Sequence, residues 1–170
     1  MFLRMFVKSS VLVNVSSLRY LSSSSSASPL LKAGDVLRHR RIFSDKDVVE
    51  YSKMTHDANP LHLDSESARA AGFEDRLVHG MLVASLFPRI ISSHFPGAIY
   101  VSQSLHFRSP VYIGDEIVGE VHAVNIKDTK NRYLAKFSTK CFKNGQLLVL
   151  DGEAMAILPT LAVEQVQSEE

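Results

Sequence analysis

The chain has 170 residues, 45% of them hydrophobic and 22% charged, enough apolar material for one packed domain and too little length for two. Its single cysteine, Cys141, excludes a disulfide framework and a cysteine-cluster zinc site, and no apolar stretch approaches the ~18 residues of a membrane span. The net charge of +1 conceals an asymmetry: residues 1–34 hold four basic residues and no acid, which leaves 15 basic against 18 acidic residues from Asp35 onward and argues against nucleic acid as a partner of the folded body.

Residues 1–32 read as an address with a linker. Ten serines accompany Arg4, Lys8, Arg19 and Lys32 in the first 34 residues. The first three cations fall on one side of a helix, with Phe, Leu and Val on much of the rest. Organellar import reads such an amphipathic cation, and acids would oppose it. A secretory signal is the rival, because Val11 to Val15 is apolar, but Asn14 interrupts that patch and Ser16, Ser17 and Arg19 follow it. The Ser22 to Ser26 run is low-complexity linker and contains or adjoins the processing site. The expected compartment is the mitochondrial matrix, with the plastid as the alternative.

The body begins with a short strand, Arg38 to Phe43, after the Gly34-Asp35 turn. Ser44 then caps a helix with Asp45 and Asp47 in its first turn. That helix ends near Asp57, because Pro60 disfavours helical geometry at Asn59. Ser65 to Ala71 forms a second helix stopped by Gly72. Gly80 to His94 is the longest helical pattern, and Pro88 inside it predicts a kink or break. Beyond Pro96-Gly97 the period shortens. Ile99 to Phe107, Glu116 to Ile126, Tyr133 to Phe142 and Leu147 to Ile157 alternate as strands, with Asn144-Gly145 as a hairpin turn in which both residues need positive φ. The expected class is α+β, an antiparallel sheet burying one face on the Gly80 helix. Residues 161–170 read as a flexible C-terminal tail.

The chemistry concentrates in His56-Asp57-Ala58-Asn59-Pro60-Leu61-His62-Leu63-Asp64. Asp57 and His62 lie on either side of a helix break, so a turn at Asn59-Pro60 folds them toward one another. A carboxylate and an imidazole sharing one water make a general acid–base pair. Val78-His79-Gly80-Met81 follows at the start of the longest helix. A glycine there admits close approach of a ligand to the backbone, and a free N–H suits the developing charge of a thioester oxygen. Together these features describe proton transfer beside a carbonyl with water as the second reactant.

The motifs Asp57-x-Asn59-Pro60-x-His62-x-Asp64, Val78-His79-Gly80-Met81, Phe107-Arg108-x-Pro110-Val111 and Gly114-Asp115, in that order, resemble the MaoC-like R-specific enoyl-thioester hydratases and 3-hydroxyacyl-thioester dehydratases. The resemblance runs from about Ala33 to Leu158, within an expected domain of residues 33–160, and implies a single hotdog fold, an antiparallel sheet wrapped around a central helix. It implies Asp57 and His62 as the catalytic pair, the Gly80 N–H as oxyanion donor and Asn59 as the residue orienting the loop. It implies an acyl chain on acyl carrier protein or CoA as substrate. No metal, flavin or nicotinamide motif appears, so no cofactor is expected. A sheet of about five or six strands leaves an edge needing protection, so a homodimer is expected, edge-to-edge pairing being what the resemblance adds. Pro88 departs from the family pattern, in which the helix runs on.

Plainer roles are open at several of these positions. Asp57 would otherwise cap a helix, and His62 would sit satisfied in the core. Asp64 reads as a cap for the Ser65 helix, His56 and His79 as loop or packing residues, and Cys141 as a small apolar side chain in a strand. Arg38-His39-Arg40-Arg41 reads as a solvated strand edge, with attraction of an acidic carrier protein as the alternative. A metal cluster of His56, Asp57, His62 and Asp64 has the wrong spacing for a paired-histidine helix, and Ser85 has no partner motif for a hydrolase. The rival functions are hydration of CoA thioesters, a hotdog thioesterase and a non-catalytic acyl-binding subunit. The Asp57 to Asp64 pattern stands against the last two.

Overall fold

A computed structural model describes residues 28–164. The segments 1–27 and 165–170, and with them the body of the expected presequence, lie outside the described residues. The elements in order are β1 (Val36–Ile42), α1 (Asp45–Thr55), α2 (Pro60–Leu63), α3 (Ser65–Ala70), α4 (Gly80–Ala84), α5 (Leu86–His94), β2 (Ile99–Gln103), β3 (His106–Phe107), β4 (Glu116–Thr129), β5 (Arg132–Lys143) and β6 (Leu147–Leu158). The strands form one antiparallel sheet in the order β1-β4-β5-β6-β2, with β3 also on β6. This is the expected α+β hotdog, with α5 as the wrapped helix.

Local chemistry accounts for the elements. Ser44 opens α1 with a reciprocal capping box: the Asp47 N–H donates to Ser44 Oγ at 3.2 Å and the Ser44 N–H to Asp47 Oδ2 at 2.8 Å. Asn144 and Gly145 both have positive φ in the β5–β6 hairpin, as expected. Alternation along β4 and β5 sends Ile117, Val121, Phe137 and Cys141 inward, against Leu86, Phe87, Ile90 and Ile91 of α5. The helix lies close to the sheet because Gly119 has no side chain. A Cβ there would stand 3.1 Å from Ile90 and 3.3 Å from Leu86.

Four expectations change. The long helix breaks, as Pro88 predicts, but at Ser85, between α4 and α5, rather than at the proline itself. A proline ring crowds the carbonyl four residues earlier, here Ala84, and leaves it without its donor, so the fault falls one turn upstream. The strand expected over Ile99 to Phe107 divides into β2 and β3. The Ser104 carbonyl turns over Gly152, in space a Cβ would occupy, and Gln103 Nε2 donates to it at 2.6 Å. A short helix, α2, also forms where only a turn was expected, with Pro60 in its first turn, where the missing N–H costs nothing.

The fourth change concerns the ends of the body, expected at residues 33 and 160. Leu31 is 2% exposed within the core, and its N–H donates to the Leu161 carbonyl at 2.8 Å. Val163 N–H donates to Pro29 O at 2.9 Å, and Glu164 N–H to His94 O at 3.0 Å. The two ends of the described chain pair with each other, so the packed body takes in residues on both sides of the expected limits.

Candidate active site

Helix α1 ends at His56, which takes φ 59° and turns the chain sharply into Asp57. Ser52 Oγ donates to the Asp57 carbonyl at 2.7 Å, and the Asn59 N–H donates to Asp57 Oδ1 at 3.3 Å. Asn59 Oδ1 in turn accepts the Leu61 N–H at 3.1 Å, capping α2 and bringing His62 round on that single turn. The loop is thus held by its own side chains. Its backbone also pairs across to the second motif, since the Leu77 N–H donates to Leu61 O at 2.9 Å and the Val78 N–H to Val111 O at 2.8 Å. Three motifs distant in the chain meet here.

His62 Nδ1 lies 2.8 Å from the Leu77 carbonyl. A carbonyl only accepts, so Nδ1 carries the hydrogen and the neutral ring presents Nε2 as a proton acceptor. His79 stacks on this ring with centroids 3.7 Å apart, and its Nε2 stands 3.4 Å from the Asp57 carbonyl. Burial, then the neighbouring His62, holds the His79 imidazole below its ordinary pKa of 6.5.

Asp57, His62, His79 and Gly80 line one cavity of about 550 Å³. The rest of its wall is largely apolar, with Phe73, Leu77, Val83, Phe107, Val149 and Leu150 among the lining residues. Asp57 is half exposed at one side of this space. Gly80 is the first residue of α4, where a backbone N–H has no partner within the helix, and His79 offers it no side-chain cap. Gly80 is not at positive φ, so no turn requires glycine there. The reason is lateral: a Cβ at Gly80 would collide with the Phe107 ring. Phe107 belongs to the third motif, and the sequence offered no sign that it meets the second.

Of the expected site residues, the structure brings together Asp57, His62 and Gly80. Asn59 does not line the cavity and acts on the loop, through its cap and its N–H to Asp57. Asp64 caps α3 by accepting the Ser67 N–H at 2.8 Å. Cys141 is fully buried, and burial pushes its thiol up to about 12, so it is an inert core residue. Arg38, Arg40 and Arg41 pair with Glu120, Glu116 and Asp47 at 2.7, 3.1 and 2.7 Å, which leaves that run little charge to offer an acidic partner. Asp57, His62 and His79 each place one candidate ligand atom within 4.8 Å of the others. Stacked rings set their nitrogens side by side and do not converge them on a point, so the arrangement suits proton transfer better than coordination.

A hotdog domain with a carboxylate and an imidazole on one wall of an apolar cavity belongs to the class of acid–base enzymes acting on acyl groups. Residues 31–140 match the family model described as the MaoC like domain, and the chain belongs to that family. It is 67% identical over 144 residues to the mitochondrial 3-hydroxyacyl-[acyl-carrier-protein] dehydratase of Arabidopsis thaliana, covering 84% of this chain and 87% of that protein. It is 38% identical over 131 residues to the (R)-specific enoyl-CoA hydratase of Aeromonas caviae, covering 76% and 96% of the two chains. Among solved structures, the A. caviae (R)-hydratase involved in PHA biosynthesis superposes with a TM-score of 0.71 at 37% identity, over 76% of this chain and 98% of that one.

Proposed function

We propose that this protein is a 3-hydroxyacyl-thioester dehydratase acting on acyl groups carried by acyl carrier protein in mitochondrial fatty acid synthesis. The observation that carries the reading is the placement of Asp57 and His62 in the lining of an acyl-sized, largely apolar cavity, together with Gly80, whose N–H opens α4 without a partner among the described residues. The thioester oxygen accepts from Gly80, which acidifies the neighbouring carbon. His62 Nε2 removes the proton from that carbon while Asp57 holds the hydroxyl on the next. The C–O bond breaks as the double bond forms, and the proton is returned from His62 to the departing hydroxide, giving water. Both side chains finish in their starting ionisation. Asn59 keeps the loop in shape, and no step calls on a cofactor.

The same geometry run in reverse hydrates an enoyl-CoA, the activity named for the A. caviae relative. An absorbance assay of the purified chain with 3-hydroxyacyl and trans-2-enoyl thioesters, on acyl carrier protein and on CoA, decides between the carriers. Release of free thiol without change at the double bond would mark a thioesterase and sink the proposal. No turnover on either carrier would leave an acyl-binding subunit.

The cationic, acid-free residues 1–27 support a presequence and a mitochondrial site, the compartment named for the A. thaliana relative. Strand β2 supports a homodimer: it is an edge of the sheet and exposes Ile99 and Val101.

A further inference from the structure

His79 touches both members of the proposed catalytic pair. Its ring lies against His62 with centroids 3.7 Å apart and 27° between the planes. Its Nε2 stands 3.4 Å from the Asp57 carbonyl and 3.9 Å from Asp57 Oδ2. Tyr51 of α1 closes another side at 4.9 Å between centroids. The side chain is 2% exposed, and its buried Nδ1 has no hydrogen-bond partner among the described residues.

That orphaned nitrogen matters. A buried polar atom without a partner destabilises a fold, and an apolar side chain of similar volume would relieve the penalty. Packing alone therefore favours phenylalanine or leucine here. What histidine supplies beyond packing is visible in its contacts. The Asp57 carbonyl only accepts, so Nε2 carries a hydrogen and donates to it, and burial beside His62 disfavours a second proton on the ring. A neutral ring can lie on His62 while His62 carries a proton, whereas two stacked charged rings would repel.

We propose that His79 is a positioning residue: its neutral ring, stacked on His62 and bonded to the Asp57 carbonyl, sets the spacing of the two groups that handle the water. This rests on the proposed dehydration chemistry. His79→Leu removes the ring and both contacts, whereas His79→Phe keeps a stacked ring and loses the N–H. Both remove the orphaned nitrogen. In the full chain, His79→Leu should lower kcat by ~30-fold or more, with KM within about threefold of wild type and no fall in Tm beyond a few degrees. His79→Phe should recover part of that loss.

A kcat for His79→Leu within about twofold of wild type overturns the proposal, as does a loss that merely tracks the unfolded fraction. If His79→Leu does not fold, His79→Phe carries the test. A kcat at least about fivefold down at unchanged Tm supports positioning, and full turnover overturns it. Wild type and Asp57→Asn run in the same assay. A wild type without turnover sinks the dehydration reading and this inference with it. Wild-type turnover alongside an unimpaired His79→Leu sinks this inference alone.

Discussion

Asp57→Asn keeps the shape of the side chain and its acceptance of the Asn59 N–H while removing the charge. His62→Ala removes the proton acceptor fixed by Leu77. Each should lower kcat by ~10²- to 10⁴-fold, His62→Ala by removing the proton-transferring group and Asp57→Asn by removing the charge that holds the departing hydroxyl, with little change in thermal unfolding. Asp64→Asn is the control, since that residue caps α3 and lies outside the cavity lining. Activity loss in Asp64→Asn equal to that of Asp57→Asn would show that the catalytic carboxylate is misassigned. Gly80→Ala tests the oxyanion donor. The added methyl strikes the Phe107 ring, which is 59% exposed and free to turn, so melting should stay near normal. The methyl and the displaced ring crowd the thioester site, and kcat/KM should fall by ~10²-fold, the scale of losing an oxyanion contact. Full turnover per folded molecule would remove Gly80 from the mechanism.

At the scale of elements, the site is built on short, locally capped helices tied to the segment that leads into α4. Helices α2 and α3 bury little of their own surface, with Ala68 the sole fully buried residue in the pair. They rely on caps from Asn59 and Asp64 and on the Leu77 to Leu61 bond. Helix α5 is the opposite case, anchored by four buried apolar side chains. The paired ends lead to a truncation test. A chain starting at Ser28 keeps Leu31 and the bonds to Leu161 and Val163, and should melt as the full chain does. A chain starting at Ala33 loses a core leucine and those bonds, and should lose ~2–5 kcal/mol of stability by denaturant unfolding, the cost of emptying a buried leucine site. Equal stability of the two would show that the strap at residues 29–31 contributes nothing. Processing of the presequence, if it occurs, should leave Pro29 and Leu31 in the mature chain, which mass determination of the imported protein checks.

For the whole molecule, pH is a global readout of buried groups. His79 and His39 are both held below 6.5, His79 by burial and then His62, and His39 by burial and then Arg89, Arg41 and His94. As pH falls through 6.5, the unfolded chain takes up protons that these folded imidazoles refuse, so stability drops until their lowered pKa values are passed. Asp47 and Glu120 act in a lower window. Partial burial raises both carboxyls, but Ser44 with Arg41 and Arg38 with His122 outweigh it and hold them below 3.8 and 4.5. Their contribution is complete above those values and is lost as pH falls through the depressed ones. Urea titrations from pH 8 to 3 should therefore show two successive losses, and His79→Phe should diminish the upper one. A flat stability between pH 7.5 and 5 would contradict the burial of neutral histidines. Association is the other global property. Light scattering should give the mass of two chains, and a fully active monomer would show that the β2 edge needs no partner.

Much of this was legible in short stretches of chain, because the forces concerned act over a few residues. Ser44 and Asp47 announce the α1 cap, Asn144-Gly145 announces its hairpin, and the period-two pattern from Ile99 onward announces the sheet. The Asp57 to His62 spacing around a proline needed only one turn of helix to bring the pair to one cavity wall. Contacts across distant segments were not legible, since their energies depend on sheet register and on which surfaces press together. The stacking of His79 on His62, the claim of Phe107 on the space beside Gly80, the turn of Ser104 over Gly152 and the burial of Leu31 beneath Leu161 each join residues 15 or more apart in the chain. None of these leaves a periodic or capping signature, and close packing in three dimensions alone decides them.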